Sequence, residues 1–111
     1  MEIQDRKHGD ITVVEIHGDI DTNTAPEAQE HILPLLGSGA KLLLEVTDVG
    51  YMSSAGLRVM LLLYRRVASQ DGRIVLVGLS DEIRDTMEVT GFLGFFTTCD
   101  TFEEGVEALS S

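Results

Sequence analysis

Apolar and polar residues follow two different periods along this chain, one typical of strands and one typical of helices. Residues 11–18 are rich in β-branched side chains that alternate between two faces, which predicts a strand. Residues 2–7 predict a weaker partner strand, joined to it by a hairpin turn at Gly9-Asp10. Residues 41–46 and 74–77 are short, apolar and bounded by turn residues, as buried strands are.

Between these strands, apolar residues recur every three or four positions, which predicts helices. The first helix is expected to begin with a capping box, Thr24-Ala-Pro-Glu27. It should run to about Leu36, with Pro34 bending its last turn. The second helix follows a pair of serines and is expected to end at Asp71-Gly72. Its predicted periodic face consists of Leu57, Met60, Leu61, Tyr64, Val67 and Ala68.

The last third of the chain predicts two more helices and one short strand. Ser80 begins the third helix, and Gly91 lies just beyond its end. Residues 95–99 predict the strand, and residues 101–109 a last helix capped by Thr101. The order β-β-α-β-α-β-α-β-α predicts an α/β fold. We expect one domain over residues 1–111, a small mostly parallel sheet of four to five strands packed with about four helices.

Composition narrows the possible partners. The 111 residues carry 19 acidic and 8 basic side chains, a net charge of −11, so the surface repels nucleic acid and anionic membranes. No apolar run reaches the ~18 residues that cross a bilayer, so we expect no membrane insertion. The first residues lack the pattern of a signal peptide and Cys99 is the only cysteine, which together predict a cytoplasmic protein.

Half of the basic residues lie in or just after the second predicted helix. They are Arg58, Arg65, Arg66 and Arg73. One interpretation is a solvated helix face. The other is a local positive patch that meets an acidic partner or a phosphate. The sequence leaves both open.

The segment 48–58 places two serines, Ser53 and Ser54, between an apolar strand and the start of a long helix. Backbone N–H groups in the first turn of a helix have no intrahelical partners, and the helix dipole makes that end partly positive. A phosphate on a hydroxyl at this position is therefore well accommodated. The pattern predicts a modification site.

A catalytic role for these serines is not expected. A nucleophile elbow needs Gly two residues before its serine, and Met52 stands two before Ser54. That fold also needs a histidine after the serine, and all three histidines precede it. No Lys-Ser or Lys-Thr follows Gly56, so the loop does not match a P-loop either.

No metal or cofactor site is expected. The histidines and Cys99 lack metal-ligand spacing. Asp19, Asp21 and Asp48 could form a carboxylate cluster for Mg²⁺, although capping and strand-end roles also account for such residues.

Phosphorylation by another protein's active site is the chemistry that the serines retain. It adds roughly −1.5 to −2 charge units, which the helix start tolerates and a docked partner does not. Tyr51 and Met52 offer apolar area for such a partner, and an exposed pair could also support weak self-association. Met52 fits a core position equally well, so its placement is left open.

Several segments together resemble the STAS domain of bacterial anti-sigma factor antagonists, over almost the whole chain and in the family's order. The main ones are residues 18–26, 42–49 and 51–58, with the sequences GDIDTNTAP, LLLEVTDV and YMSSAGLR. Residues 72–78, the turn at 90–93 and the segment 102–109 fit as well.

The resemblance implies a switch protein that is not an enzyme. In that family the unmodified antagonist binds an anti-sigma factor and releases a sigma factor. The anti-sigma factor is also a serine kinase that inactivates the antagonist by phosphorylation, and a PP2C-type phosphatase reverses the change. The resemblance places the acceptor at Ser54. Some family members carry Asp before the acceptor, where this chain has Ser53, so Ser53 is the alternative acceptor.

The resemblance also implies where the partner binds. The expected surface comprises Asp19, Asp21, Thr22, Asn23, Thr24, Tyr51, Met52, Ser53, Ala55, Gly56 and Arg58. Two other functions remain open: a non-catalytic STAS scaffold in a signalling assembly or membrane lipid-transport system, and nucleotide binding.

Overall fold

A computed structural model describes residues 1–110 and shows a five-stranded sheet with the spatial order β1-β2-β3-β4-β5. The first two strands pair antiparallel, and every later pair is parallel. This is the mostly parallel α/β sheet that the sequence predicts. The strands are β1 (Glu2–His8), β2 (Ile11–His17), β3 (Lys41–Asp48), β4 (Arg73–Val77) and β5 (Thr97–Cys99).

Four α-helices connect or follow the parallel strands, in the predicted order. They are α1 (Ala25–Ile32), α2 (Ser54–Ser69), α3 (Asp81–Thr90) and α4 (Phe102–Ser110). Each begins after the carboxyl end of a strand. Their N-termini, with the loops that precede them, therefore lie at one edge of the sheet.

The sheet is covered unequally on its two faces. The larger core packs α1, α2 and α3 against one face, where side chains such as Val14, Leu42 and Leu44 are fully buried. A smaller core packs Leu109 of α4 against Val13 and other residues of the opposite face. The central strand β3 is buried on both faces, as its continuous apolar run predicts.

Helix α1 starts and ends differently from the prediction. Thr24 precedes it, but the Thr24 hydroxyl makes no cap bond to the helix. That hydroxyl instead donates to the carbonyl of Asp19 and accepts the N–H of Asp21. The predicted capping box with Glu27 is therefore wrong. The α-helix ends at Ile32, and Pro34 lies in a 3₁₀ turn, Leu33–Leu35.

Helix α2 buries a face that is shifted from the predicted one. Leu61 and Tyr64 are only half-buried and Ala68 is exposed. Because α2 packs against both the sheet and α1, its buried stripe includes positions on the α1 side that the predicted face omitted. The buried residues are Gly56, Leu57, Val59, Met60, Leu63 and Val67.

The caps of the last two helices match the prediction. The Ser80 hydroxyl accepts the N–H of Ile83 at 3.2 Å, and Gly91 ends α3 with φ +81°. Thr101 and Glu104 bond each other reciprocally at 3.1 Å in a capping box. The predicted strand at 95–99 is shorter, because Leu93–Phe95 forms a 3₁₀ turn that precedes β5.

Candidate functional site

Two loops lie side by side at the edge of the sheet where the helices begin. One connects β2 to α1 and the other connects β3 to α2, and together they hold most of the predicted site residues. Ile20 and Met52 form a parallel β-bridge between them. The N–H of Ile20 donates to the Tyr51 carbonyl at 3.0 Å, and the N–H of Ser53 donates to the Ile20 carbonyl at 2.9 Å. These bonds bring the segment 19–24 against the start of α2.

The two serines occupy different positions at the start of α2. Ser53 is the N-cap, with extended backbone, and its side-chain oxygen accepts the N–H of Gly56 at 3.3 Å. Ser54 is the first helical residue and is exposed. Within residues 1–110, its hydroxyl has no hydrogen-bond partner. The structure therefore gives Ser53 a capping role and leaves the Ser54 oxygen open to solvent.

The Asp21 side chain accepts backbone hydrogen bonds from the loop that precedes α1. One of its carboxylate oxygens accepts the N–H of Thr24 at 3.0 Å and that of Asn23 at 2.9 Å. These backbone hydrogen bonds hold the pKa of Asp21 below its ordinary value, the Thr24 bond contributing most. The carboxylate thereby orders the loop that lies beside Met52.

Tyr51 and Met52 are neighbours that face opposite surroundings. Met52 is 7% exposed and belongs to the larger core, which decides the alternative left open by the sequence. Tyr51 is 56% exposed. The prediction of an exposed Tyr51/Met52 pair is therefore wrong for Met52; of these two side chains, only Tyr51 offers exposed area.

Gly56 is buried where α2 passes close to the neighbouring loop. A β-carbon at this position would lie 2.7 Å from the carbonyl oxygen of Ile20 and 2.7 Å from the γ-carbon of Met52. No side chain fits without movement of the backbone. Gly56 thus lets the two loops approach each other and presents no surface of its own.

A groove of about 460 Å³ runs between α1 and α2 and reaches Ala55, the residue that follows Ser54. Its walls are mainly apolar, with Ala25 and Pro26 on one side and Val59 and Leu62 on the other. The remaining lining residues are Thr22, Gln29, Glu30, Ala55 and Arg58. Three residues of the predicted partner surface, Thr22, Ala55 and Arg58, therefore share one concave feature.

The four arginines that the sequence places in or just after the second helix divide into two groups. Arg73 lies outside α2, and its guanidinium donates to the carbonyl of Ala108 in α4. Arg58, Arg65 and Arg66 are exposed on α2, which carries no acidic residue. None of these three forms an ion pair with any residue in the described range 1–110. Three arginines without ion-pair partners among the described residues thus lie on the outer surface of α2.

Sequence reasoning missed a contact between His17 and Asp48, the last residue of β3 before the loop that leads to α2. His17 Nδ1 lies 2.7 Å from a carboxylate oxygen of Asp48, and His17 Nε2 lies 3.5 Å from Glu15. The hydrogen bond to Asp48 raises the pKa of His17 above its ordinary value. The parallel register places His17 beside Asp48 at the ends of β2 and β3. The predicted strand at 41–46 stops before Asp48, and a register shift between Glu15 and His17 sets this pairing, so the strand prediction could not find the contact.

Two of the three carboxylates considered for Mg²⁺ have other roles. Asp21 caps the loop before α1, and Asp48 binds His17. Among residues 1–110 the structure brings no three His, Cys, Asp or Glu side chains into a group that could hold a metal ion. The same residues include no helix with the length and apolar character needed to cross a bilayer.

Comparisons with known proteins agree with this fold. The family model described as STAS domain matches residues 2–105. The anti-sigma-B factor antagonist of Bacillus subtilis (strain 168) is 34% identical over 94 residues, which cover 85% of this chain and 86% of the relative.

Solved structures show the same fold at lower identity. The crystal structure of an anti-sigma factor antagonist from Mycobacterium paratuberculosis superimposes with a TM-score of 0.88 at 22% identity, covering 99% of this chain and 94% of that one. The anti-sigma factor antagonist SpoIIAA in its unphosphorylated form gives a TM-score of 0.81 at 18% identity, covering 98% and 96%. The phosphorylated form of SpoIIAA from Bacillus gives 0.74 at 19% identity, covering 96% and 98%. The chain therefore belongs to the STAS domain family and, within it, to the anti-sigma factor antagonists.

Proposed function

We propose that this protein is a phosphorylation-controlled antagonist of an anti-sigma factor that is also its serine kinase. The unphosphorylated form binds the anti-sigma factor and thereby releases a sigma factor. Phosphorylation of Ser54 ends that binding. The observation that carries the proposal is the Ser54 hydroxyl, which is exposed and unbonded among the described residues, at the point where the two loops meet.

The chemistry requires no catalytic group from this chain. The partner kinase transfers the γ-phosphoryl group of ATP to Ser54 Oγ, the hydroxyl proton passes to a base of the kinase, and ADP leaves. A PP2C-type phosphatase reverses the change with one water, releasing inorganic phosphate and restoring the serine. In this proposal the chain is a substrate and a binding protein, and is not an enzyme.

Ser53 is the poorer acceptor for a structural reason. Ser53 is half-buried, and its side-chain oxygen already accepts the Gly56 N–H. To place that oxygen in a kinase active site, the first turn of α2 would have to lose its cap, at a cost of roughly 1 kcal/mol. Ser54 needs no such rearrangement.

The phosphate acts on binding and leaves the fold in place. At the first helical residue a dianion interacts favourably with the positive end of α2. A partner docked there meets a new negative charge where the unmodified protein offers a neutral hydroxyl. Like charges brought together across an interface cost several kcal/mol, which is enough to abolish a moderate affinity.

The proposed partner surface is the exposed part of the predicted residues. Tyr51 supplies an apolar ring at the centre, and Asn23 and Thr22 form the neighbouring loop. Met52, Gly56 and Ser53 support this surface from beneath. The proposed contact residues are Asp19, Asp21, Thr22, Asn23, Thr24, Tyr51, Ser54, Ala55 and Arg58.

Calorimetry tests the proposal by measuring how tightly this protein binds the anti-sigma factor kinase encoded in the same genome. Ser54→Ala should bind as the unmodified protein does and gain no phosphate in the intact mass after incubation with kinase and ATP. Protein with phosphoserine at position 54 should bind about a hundredfold more weakly or not at all. Ser53→Ala is the matched control and should still be phosphorylated.

Two outcomes would contradict the proposal. One is equal affinity of the unmodified and phosphorylated proteins for the kinase. The other is that no kinase binds the unmodified protein or adds phosphate to it, which would favour the scaffold function.

A further inference from the structure

Arg58 lies at the wall of the groove between α1 and α2 and has no ion-pair partner among the described residues. The chain has 19 acidic residues, yet Arg58 forms no ion pair with any of residues 1–110. Glu30 lines the facing wall of the same groove and is not within ion-pair distance of it. Arg58 is thus available to an anion from outside the fold.

Arg58 also stands four residues after Ser54 on α2. Side chains four apart on a helix lie on the same face, about 5–6 Å apart at their β-carbons. Helical side chains lean toward the N-terminus, so a long side chain at position 58 covers the turn that contains Ser54. An acidic group N-terminal to a basic one at this spacing is the favourable orientation. A phosphate on Ser54 would therefore be within reach of this guanidinium.

The groove itself indicates what the unmodified protein binds there. Its walls bring apolar surface from Pro26, Val59 and Leu62 next to one guanidinium. This combination fits an apolar partner segment that carries a single carboxylate. An arginine can hold a carboxylate through two parallel hydrogen bonds, which fixes the register of the segment.

We propose that Arg58 is a carboxylate-binding site for the partner and that the phosphate on Ser54 competes for the same guanidinium. In the unmodified protein, a carboxylate of the anti-sigma factor's docking segment occupies Arg58. In the phosphorylated protein, the phosphate takes its place. This inference rests on the proposed function, because it assigns the partner chemistry and the means of inhibition at the same site.

The competition favours the phosphate. It is attached to the same helix, and a tethered group at short range has an effective concentration in the millimolar range or above. It also carries roughly −1.5 to −2 charge units, against −1 for a carboxylate. The partner thus loses an ion pair as well as meeting a repulsive charge.

The pairing can be tested without any partner. Protein carrying phosphoserine at position 54 is titrated by ³¹P NMR, alone and with Arg58→Gln or Arg65→Gln. Arg65 is the matched control, a second exposed arginine of α2 that lies about three turns from Ser54. We expect Arg58→Gln to raise the second pKa of the phosphate by about 0.3 unit, and Arg65→Gln to leave it unchanged. Equal phosphate pKa values in the wild type and the Arg58→Gln protein would overturn the pairing.

Binding to the anti-sigma factor, without ATP, tests the competition. Arg58→Gln should weaken binding of the unmodified protein about tenfold, as loss of a charged hydrogen bond does. Phosphorylation should then weaken the Arg58→Gln protein by a smaller factor than it weakens the wild type, because the contact it removes is already missing. Arg65→Gln should respond to phosphorylation as the wild type does.

The outcomes separate this inference from the proposed function. If phosphorylation leaves wild-type affinity unchanged, the proposed function fails, whatever Arg58 does. If phosphorylation weakens the wild type and the Arg58→Gln protein by the same factor, the proposed function stands and the shared guanidinium is wrong. If Arg58→Gln binds as tightly as the wild type, no partner carboxylate occupies Arg58.

Discussion

The Ser53 oxygen and the Gly56 N–H are joined by a hydrogen bond of 3.3 Å that closes the first turn of α2. Three residues apart, they form the standard N-cap contact of a helix. The bond occupies the first serine of the pair, and the second remains exposed. A structural cap and a solvent-facing hydroxyl thus sit next to each other in the chain.

Alanine substitutions should separate these two roles. Ser53→Ala removes the cap and should lower the free energy of unfolding by about 1 kcal/mol. Ser54→Ala should change it by less than about 0.5 kcal/mol, because the hydroxyl makes no bond among the described residues. Urea denaturation of both variants, compared at equal m-value, measures the difference. Equal losses in the two variants would refute the assignment of the cap.

Gly56→Ala should destabilise the protein although it places a better helix former in a helix. The new β-carbon would lie 2.7 Å from the carbonyl oxygen of Ile20, which belongs to the neighbouring loop. Relief of this clash requires backbone movement. We therefore expect a net loss of about 1–3 kcal/mol in the free energy of unfolding, although alanine in place of glycine otherwise stabilises a helix by roughly 1 kcal/mol. Thermal unfolding measures it. A rise in Tm would show that the loops have room to separate.

Met52 and Tyr51 should respond in opposite ways to truncation. Met52→Ala removes a buried side chain and should cost about 2–4 kcal/mol of stability. Tyr51→Ala removes an exposed ring and should leave stability nearly unchanged while weakening binding of the anti-sigma factor. Denaturation and calorimetry on both variants give the two readouts. A Tyr51→Ala protein with full affinity would remove the ring from the proposed surface.

The pair of His17 and Asp48 should make stability depend on pH near neutrality. The Asp48 carboxylate raises the pKa of His17 in the folded protein, so the folded state binds the proton more tightly than the unfolded state does. The added stability is fully present below the unfolded pKa of about 6.5, and it is lost as pH rises through the folded pKa.

Comparison with Asp48→Asn measures this contribution. The wild type should exceed the variant in stability most clearly at about pH 5.5, and the excess should decline above about pH 6.5. NMR titration of the His17 ring should show its pKa fall in the variant. An unchanged ring pKa would contradict the pairing.

Local sequence patterns predicted the order and type of the elements correctly, because each depends on neighbouring residues. The hairpin at Gly9-Asp10 and the capping box of Thr101 and Glu104 are local contacts of this kind. The start of α1 is the exception. Thr24 has the sequence of a cap, but its hydroxyl bonds the Asp19 carbonyl, since the preceding loop folds back over it. The hydrogen bond to the Asp19 carbonyl thus replaces the predicted cap bond of Thr24.

The burial of individual residues could not be read from periodicity alone. Helix α2 is apolar on more than half of its circumference, so several buried faces were compatible with its sequence. Packing against α1 and the sheet together selected one that includes Gly56 and Leu63. The placement of Met52 in the core depends likewise on its bridge to Ile20, a residue far away in the chain.

The sequence by itself determined that Ser53 and Ser54 lie at the start of a helix in a small α/β fold, because helix starts and strand runs are local signals. Only the tertiary structure distinguished the capping serine from the exposed one, and only it brought Arg58 and Thr22 to one groove. The physical reason is that exposure and hydrogen-bond partners depend on which segments pack together. Those contacts join residues far apart in the chain.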